Sequence, residues 1–220
     1  MSTCDHGRVT GDADRGDGRR KGGLREDLLR HGVEIARTGG PDVVSIREVQ
    51  RRSGVSNSAA YRHYADRDAL LAAIADVAAA ELTHRMRKAQ GQVDEDLPPA
   101  EGARARLRAT GAAYLEFAID EPGWFAVAFR TERATKNRAD SSAGEGKESD
   151  PFRLLGCCLD DMVRAGTLDP GRRPNSDIAA WSAVHGLATL LNEGHLGHLG
   201  VEQRQAVIDR LLEIVEMGMR

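Results

Sequence analysis

Between Ser53 and Leu71 the chain reads SGVSNSAAYRHYADRDALL, a stretch crowded with hydrogen-bond donors and poor in apolar side chains. Val55, Ala59, Ala60, Tyr61 and Tyr64 would suffice to fill a core, so Ser56, Asn57, Ser58, Arg62, His63 and Arg67 require another partner. Hydroxyl, imidazole and guanidinium groups suit phosphate oxygens, which position a protein on a duplex. Asn57 and Arg62 have the planar, two-pronged heads that read base edges in the major groove. If Ser56–Ser58 open a helix, its free N–H groups and dipole add to the attraction for phosphate.

Two other groupings could carry chemistry. Cys157 and Cys158 with His185 would serve a small intracellular enzyme, the rival function class, but adjacent helical residues point about 100° apart and two small buried side chains explain the pair. No Gly-rich phosphate loop, nucleophile elbow or metal triad accompanies them, and His195 with His198 lacks a third ligand nearby. We therefore expect no catalysis, no cofactor and no metal. Seven of the nine aromatic residues, Tyr114, Phe117, Trp124, Phe125, Phe129, Phe152 and Trp181, fall between positions 114 and 181. They form a core or line a ligand cavity.

Charge separates the same two regions. Residues 19–88 carry 14 Lys and Arg against 9 Asp and Glu, whereas residues 89–220 carry 15 against 21, although the 220-residue chain as a whole has a net charge of only −3. A basic first third on an acidic chain suits a polyanion. Three cysteines in this arrangement make no disulfide framework. The longest apolar runs fall short of a membrane span, and the first residues lack the apolar centre of a secretory signal. The expected location is cytoplasmic, away from the membrane.

The elements that must position these residues are helices. Aromatics are scarce at 4% and Ala, Arg and Leu recur, which favours an all-α fold. Residues 1–21 read as a disordered tail, followed by a first helix from Leu24 to the Gly39-Gly40-Pro41 breaker. Ser45 stands three residues before Glu48 as a capping box for a short second helix that Gly54 stops. Ser56 caps a third, and Asp66 caps a long fourth running to about Lys88. Residues 22–68 thus make a three-helix domain, 66–88 a connecting helix and 89–220 a second helical domain. In that domain Glu121-Pro122-Gly123 breaks a helix, residues of about 131–150 read as a mobile loop, Ser176 caps a penultimate helix, and a last helix spans about 201–218.

With the helices in place, SIREVQRRSGVSNSAAYRHYADRDALLAAI resembles the helix-turn-helix and following helix of the TetR family of bacterial transcriptional regulators. The likeness runs through Ile46, Val49, Gly54, Val55, Ser56, Tyr61, His63, Tyr64, Leu70 and Leu71. Downstream, LDPGRRPNSDIAAWSAVHGLATLLNEG is similar to the helix carrying Trp-x-x-x-His-Gly in one C-terminal subclass of that family. The resemblance implies an N-terminal DNA-binding domain joined to a C-terminal domain for effector binding and dimerisation. The implied function is a repressor released from a pseudo-palindromic, double-stranded operator by a small-molecule effector. The expected DNA contacts are Ser45, Arg47, Ser56, Asn57, Ser58, Tyr61, Arg62, His63 and Arg67, the last standing where the family typically has Lys. The expected effector contacts are Tyr114, Phe117, Trp124, Phe129, Trp181 and His185. A homodimer interface is expected from the stripe Ile208, Leu211, Leu212 and Val215 with the small Ala179, Ala183 and Gly186.

Overall fold

The computed structural model describes residues 17–130 and 150–219, and among them it contains only helices and the turns between them. α1 (Asp17–Gly39) is followed by a 3-10 turn at Pro41–Val43, then α2 (Ile46–Ser53), α3 (Asn57–His63) and α4 (Arg67–Gln90). α5 (Pro99–Asp120), α6 (Pro122–Arg130), α7 (Pro151–Arg164), a second 3-10 turn at Pro170–Arg172, α8 (Ser176–Asn192) and α9 (Val201–Gly218) complete the order. The expected tail through residue 16 and the loop at 131–149 lie outside the described residues. Positions 17–21, assigned to the tail from sequence, belong to α1 instead. Arg19, Arg20 and Lys21 are good helix formers, and extending a formed helix costs far less than nucleating one.

Short-range signals set the helix ends. Ser45 Oγ accepts the Glu48 N–H at 3.2 Å, Ser56 Oγ that of Ala59 at 3.3 Å, and Asp66 Oδ1 that of Ala69 at 2.7 Å. Each satisfies an amide that the first helical turn leaves unpaired, and replacing such a cap by Ala costs about 0.5–2 kcal/mol. Gly54, at φ 69°, ends α2 in the left-handed region that glycine enters without strain. α8 departs from expectation at its start. Ser176 is its first helical residue and donates its hydroxyl to the Arg172 carbonyl, while Asn175, at φ 63°, occupies the capping position. Asn tolerates that conformation better than most residues, because its amide can bond locally.

Packing then joins the two halves. Leu28, Ile35, Val49, Tyr64, Leu70 and Ile74 form the interior of the first four helices. The same cluster continues through Ala78, Leu82 and Met86 of α4 to Leu115 and Phe117 of α5 and Val184 of α8. A second cluster holds Leu107, Leu155, Leu159, Met162 and Ala180. Close to the junction, α6 begins against the end of α1. A Cβ on Gly123 would stand 2.3 Å from the Ala36 carbonyl oxygen, so only glycine permits this approach. The Trp124 indole donates to the Val33 carbonyl at 3.1 Å beneath the Arg37 guanidinium, which lies 4.9 Å from its ring centre.

Candidate nucleic-acid interface and ligand cavity

The turn at Gly54 projects α3 outward. Ser56, Asn57, Ser58, Tyr61 and Arg62 are exposed, His63 is half-buried, and Ala60 faces the core. Tyr61 is an aromatic ring left 50% exposed, whereas Tyr64 is 3% exposed beside Arg25. Burial raises the Tyr64 phenol pKa, so that ring is packing while Tyr61 remains a surface donor. Ser56 Oγ accepts its capping bond and lies 3.2 Å from Ser58 Oγ, which leaves the pair of hydroxyls on the same exposed edge. On α2, Arg47 is exposed and Ser45 is half-buried with its oxygen engaged as a cap.

Arg67 does not join that face. Its Nε donates to the Val44 carbonyl at 2.7 Å and its Nη2 to the Pro41 carbonyl at 2.6 Å. The guanidinium thereby ties the start of α4 to the turn after α1 and is not free to meet a phosphate. Arg51 and Arg52 are cations of α2 that sequence reasoning passed over. Glu48 holds both, accepting from Arg51 at 2.8 and 2.7 Å and from Arg52 at 2.9 Å. These bonds lower the Glu48 pKa to about 2. The i, i+3, i+4 spacing of Glu48, Arg51 and Arg52 was the available signal.

A cavity lies where α4, α5, α7, α8 and α9 meet, with an empty volume of about 480 Å³, mouth included. Of the expected effector contacts, Tyr114 and Trp181 line it, with Met86, Leu107, Leu155 and Val184 around them. His185 and Phe129 lie behind these two rings. Tyr114 Oη and His185 Nδ1 are 2.7 Å apart, and the Trp181 ring stacks on that of His185 at 11°. Burial lowers the His185 pKa and favours the neutral imidazole. Phe117 is fully buried under the Arg85 guanidinium at 5.2 Å, and Trp124 closes the α1–α6 junction. Neither reaches the cavity, because their helix faces turn toward α4 and α1.

A family model described as bacterial regulatory proteins of the tetR family matches residues 28–74, and one described as tetracyclin repressor-like, C-terminal domain, matches residues 107–215. The chain belongs to the TetR family. It is a DNA-binding transcriptional regulator, with the helix-turn-helix in α2 and α3. Among solved structures, a protein of unknown function from Rhodococcus sp. RHA1 is 25% identical with a TM-score of 0.68, covering 89% of this chain and 95% of that one. A TetR-family transcriptional regulator from Pectobacterium atrosepticum is 21% identical with a TM-score of 0.61, covering 92% and 95%. RolR, solved in complex with the ligand resorcinol, is 15% identical with a TM-score of 0.59, covering 90% and 89%. No curated protein sequence matches the chain.

Two expectations about this TetR-family regulator change with its tertiary packing. Ile208 and Leu212 are 4% and 5% exposed and point into the molecule, so they are core residues and cannot face a second copy. Leu212 and the half-buried Val215 line the cavity. The outward apolar residues of α9 are Val201 at its start and Val207, Ile214 and Met217 further along, with Leu211 half-buried, and those of α8 are Ile178 and Leu190. Ala179 and Gly186 are exposed beside the latter two, and Ala183 is half-buried. One residue of register turns a helix face by about 100°, which separates the inner set from the outer. Of the two cysteines expected to be small buried side chains, only Cys158 is buried, and Cys157 is exposed, because adjacent helical residues face different ways. Cys158 lies 2.9 Å from Gln90 Nε2, and burial raises its pKa, the opposite of what activates a nucleophile. Among the described residues no helix is long and apolar enough to cross a membrane.

Proposed function

We propose that this regulator is a homodimeric repressor whose exposed α3 faces read a pseudo-palindromic operator, and that a small molecule in the cavity releases it. The observation that carries the proposal is the continuity of α4. One unbroken helix begins at Arg67, tied to the reading head, and reaches Met86 in the cavity wall. A ligand that displaces Met86 therefore acts on a rod already attached to the head. Coupling of about 1–3 kcal/mol between two such sites changes affinity roughly 5- to 150-fold. The outward stripe of Val207 and Ile214 on α9, beside Ile178 and Leu190 on α8, supports pairing of two copies, which sets the two α3 helices about 34–36 Å apart for adjacent half-sites. The Trp181-x-x-x-His185-Gly186 spacing, with its two rings stacked, supports placement in the Trp-x-x-x-His-Gly subclass.

Selection from a random duplex pool tests the reading directly. The full chain should enrich a two-fold symmetric sequence. Asn57→Ala or Arg62→Ala should relax the preference at one position per half-site, by about 1–3 kcal/mol of discrimination. Enrichment of no sequence, or the parental preference in both variants, would overturn it.

A further inference from the structure

The cations of the reading head divide by what already holds them. Residues 23–68 contain eight arginines and no lysine. Arg30 is held by Asp27 and Glu34, Arg37 by Glu121, Arg51 and Arg52 by Glu48, and Arg67 by two carbonyls. The other three, Arg25, Arg47 and Arg62, are exposed and have no carboxylate or carbonyl partner among the described residues. A guanidinium bound to a carboxylate must leave that partner to meet a phosphate, whereas an unpaired one exchanges only water for it. Arg47 and Arg62 lie on the helix-turn-helix. Arg25 lies outside it, on α1.

The sequence explains why Arg25 is unpaired. Three and four residues from it stand Lys21, Gly22, Leu28 and Leu29, so α1 offers it no carboxylate at pairing distance. Its guanidinium carbon lies instead 5.6 Å from the centre of the Tyr64 ring. Tyr64 is the residue that ends α3, and its N–H donates to the Ala60 carbonyl at 3.1 Å. The ring is 3% exposed, so the core beneath fixes it in place. Burial raises the Tyr64 pKa and the Arg25 charge works against that rise, as expected of a cation close to the phenol. A guanidinium is attracted to the ring by its quadrupole and keeps its five N–H donors for another partner. The contact also restricts a long side chain before DNA arrives, which lowers the ordering cost of binding. Arg25 is thus an unneutralised cation pre-positioned at the C-terminal end of α3. In the three-helix homeodomain that end of the recognition helix meets the sugar-phosphate backbone.

We propose that Arg25, positioned by the Tyr64 ring, contacts a DNA phosphate beside the C-terminal end of α3, so that α1 holds the duplex together with the helix-turn-helix. The contact rests on DNA binding and not on the repressor reading, so an unselected duplex tests it. Fluorescence anisotropy of the full chain on a mixed-sequence duplex, between 50 and 200 mM salt, gives the dependence of log K on log salt. Arg25→Ala should weaken binding and flatten that slope by about 0.9 per protomer bound, so that its gap from the parent narrows about 3.5-fold per protomer across the range. Arg30→Ala removes a cation of the same helix that Asp27 and Glu34 already hold, and should keep the parental slope. Arg25→Lys keeps the charge but lacks the planar head that stacks on a ring, and should keep the slope while weakening binding at least twofold. A parental slope in Arg25→Ala, or equal flattening by Arg30→Ala, would overturn the phosphate contact; parental affinity in Arg25→Lys would overturn positioning by Tyr64. An altered base preference of Arg25→Ala in selection from a random pool would make Arg25 a groove reader and also overturn it. If the parent enriches no sequence while Arg25→Ala flattens the slope, the contact stands and the operator reading fails.

Discussion

Glu121→Gln tests the joint between reading head and ligand domain. Glu121 is 8% exposed at its side chain and accepts from Arg37 Nε at 2.6 Å, again from Arg37 Nη2, and from Arg85 Nη2 at 3.3 Å. One carboxylate thereby links α1, α4 and the turn into α6. Breaking a buried ion pair costs about 3–5 kcal/mol. That figure must be discounted here, because Arg37 is 52% exposed and can rehydrate, and Arg85 keeps Glu81 at 2.9 Å. A loss of about 2 kcal/mol remains, or roughly 4–8 °C in Tm for a chain of this size. The pH dependence has a fixed sign. The Arg37 hydrogen bonds, then the charges of Arg37 and Arg85, lower the Glu121 pKa despite its burial. Its contribution is therefore fully present above the ordinary carboxylate range of about 4.3 and is lost as pH falls through the lowered native value. Urea unfolding of parent and variant at pH 7.5 and at successively lower pH should show a gap that closes in acid. Equal stability at pH 7.5, or a gap that persists unchanged at low pH, would falsify the assignment of the linkage to this carboxylate.

Arg67→Ala should lower stability by about 1–3 kcal/mol, since two carbonyls lose a charged donor that is itself half-buried; a parental Tm with weakened binding to all DNA would restore Arg67 to the interface. Glu48→Gln frees Arg51 and Arg52 on the exposed side of α2, so the dependence of log K on log salt should steepen by about 0.9 for each additional phosphate neutralised. An unchanged slope would show that neither arginine reaches the backbone. Ile214→Glu places a charge on the outward face of α9 and should yield a folded monomer in equilibrium sedimentation, with operator affinity reduced at least tenfold. A dimeric Ile214→Glu variant would move the interface elsewhere.

What could be read from sequence was whatever neighbours in the chain decide. Ser45, Ser56 and Asp66 cap helices because each oxygen meets an amide three residues on, and Gly54 and Gly166 end helices through their own φ. The same short range placed Asn57, Ser58, Tyr61 and Arg62 together on one small helix, and periodicity placed Leu70, Ile74 and Leu82 on an inner stripe. Tertiary structure decided what lies opposite each face. The hydrophobic pattern of α9 holds two apolar sets, and only the packing of α5 makes Ile208 and Leu212 the inner one, with Leu212 Cδ2 2.6 Å from where a Gly111 Cβ would be. Phe117 and Tyr114 are three residues apart on α5, yet one turns to Arg85 and the other to the cavity. Arg67 has a head long enough for a phosphate or for a carbonyl, and the chain 26 residues earlier supplies Pro41. Caps and periods are properties of a few adjacent residues; burial and the partner of a long side chain depend on segments that only folding brings near.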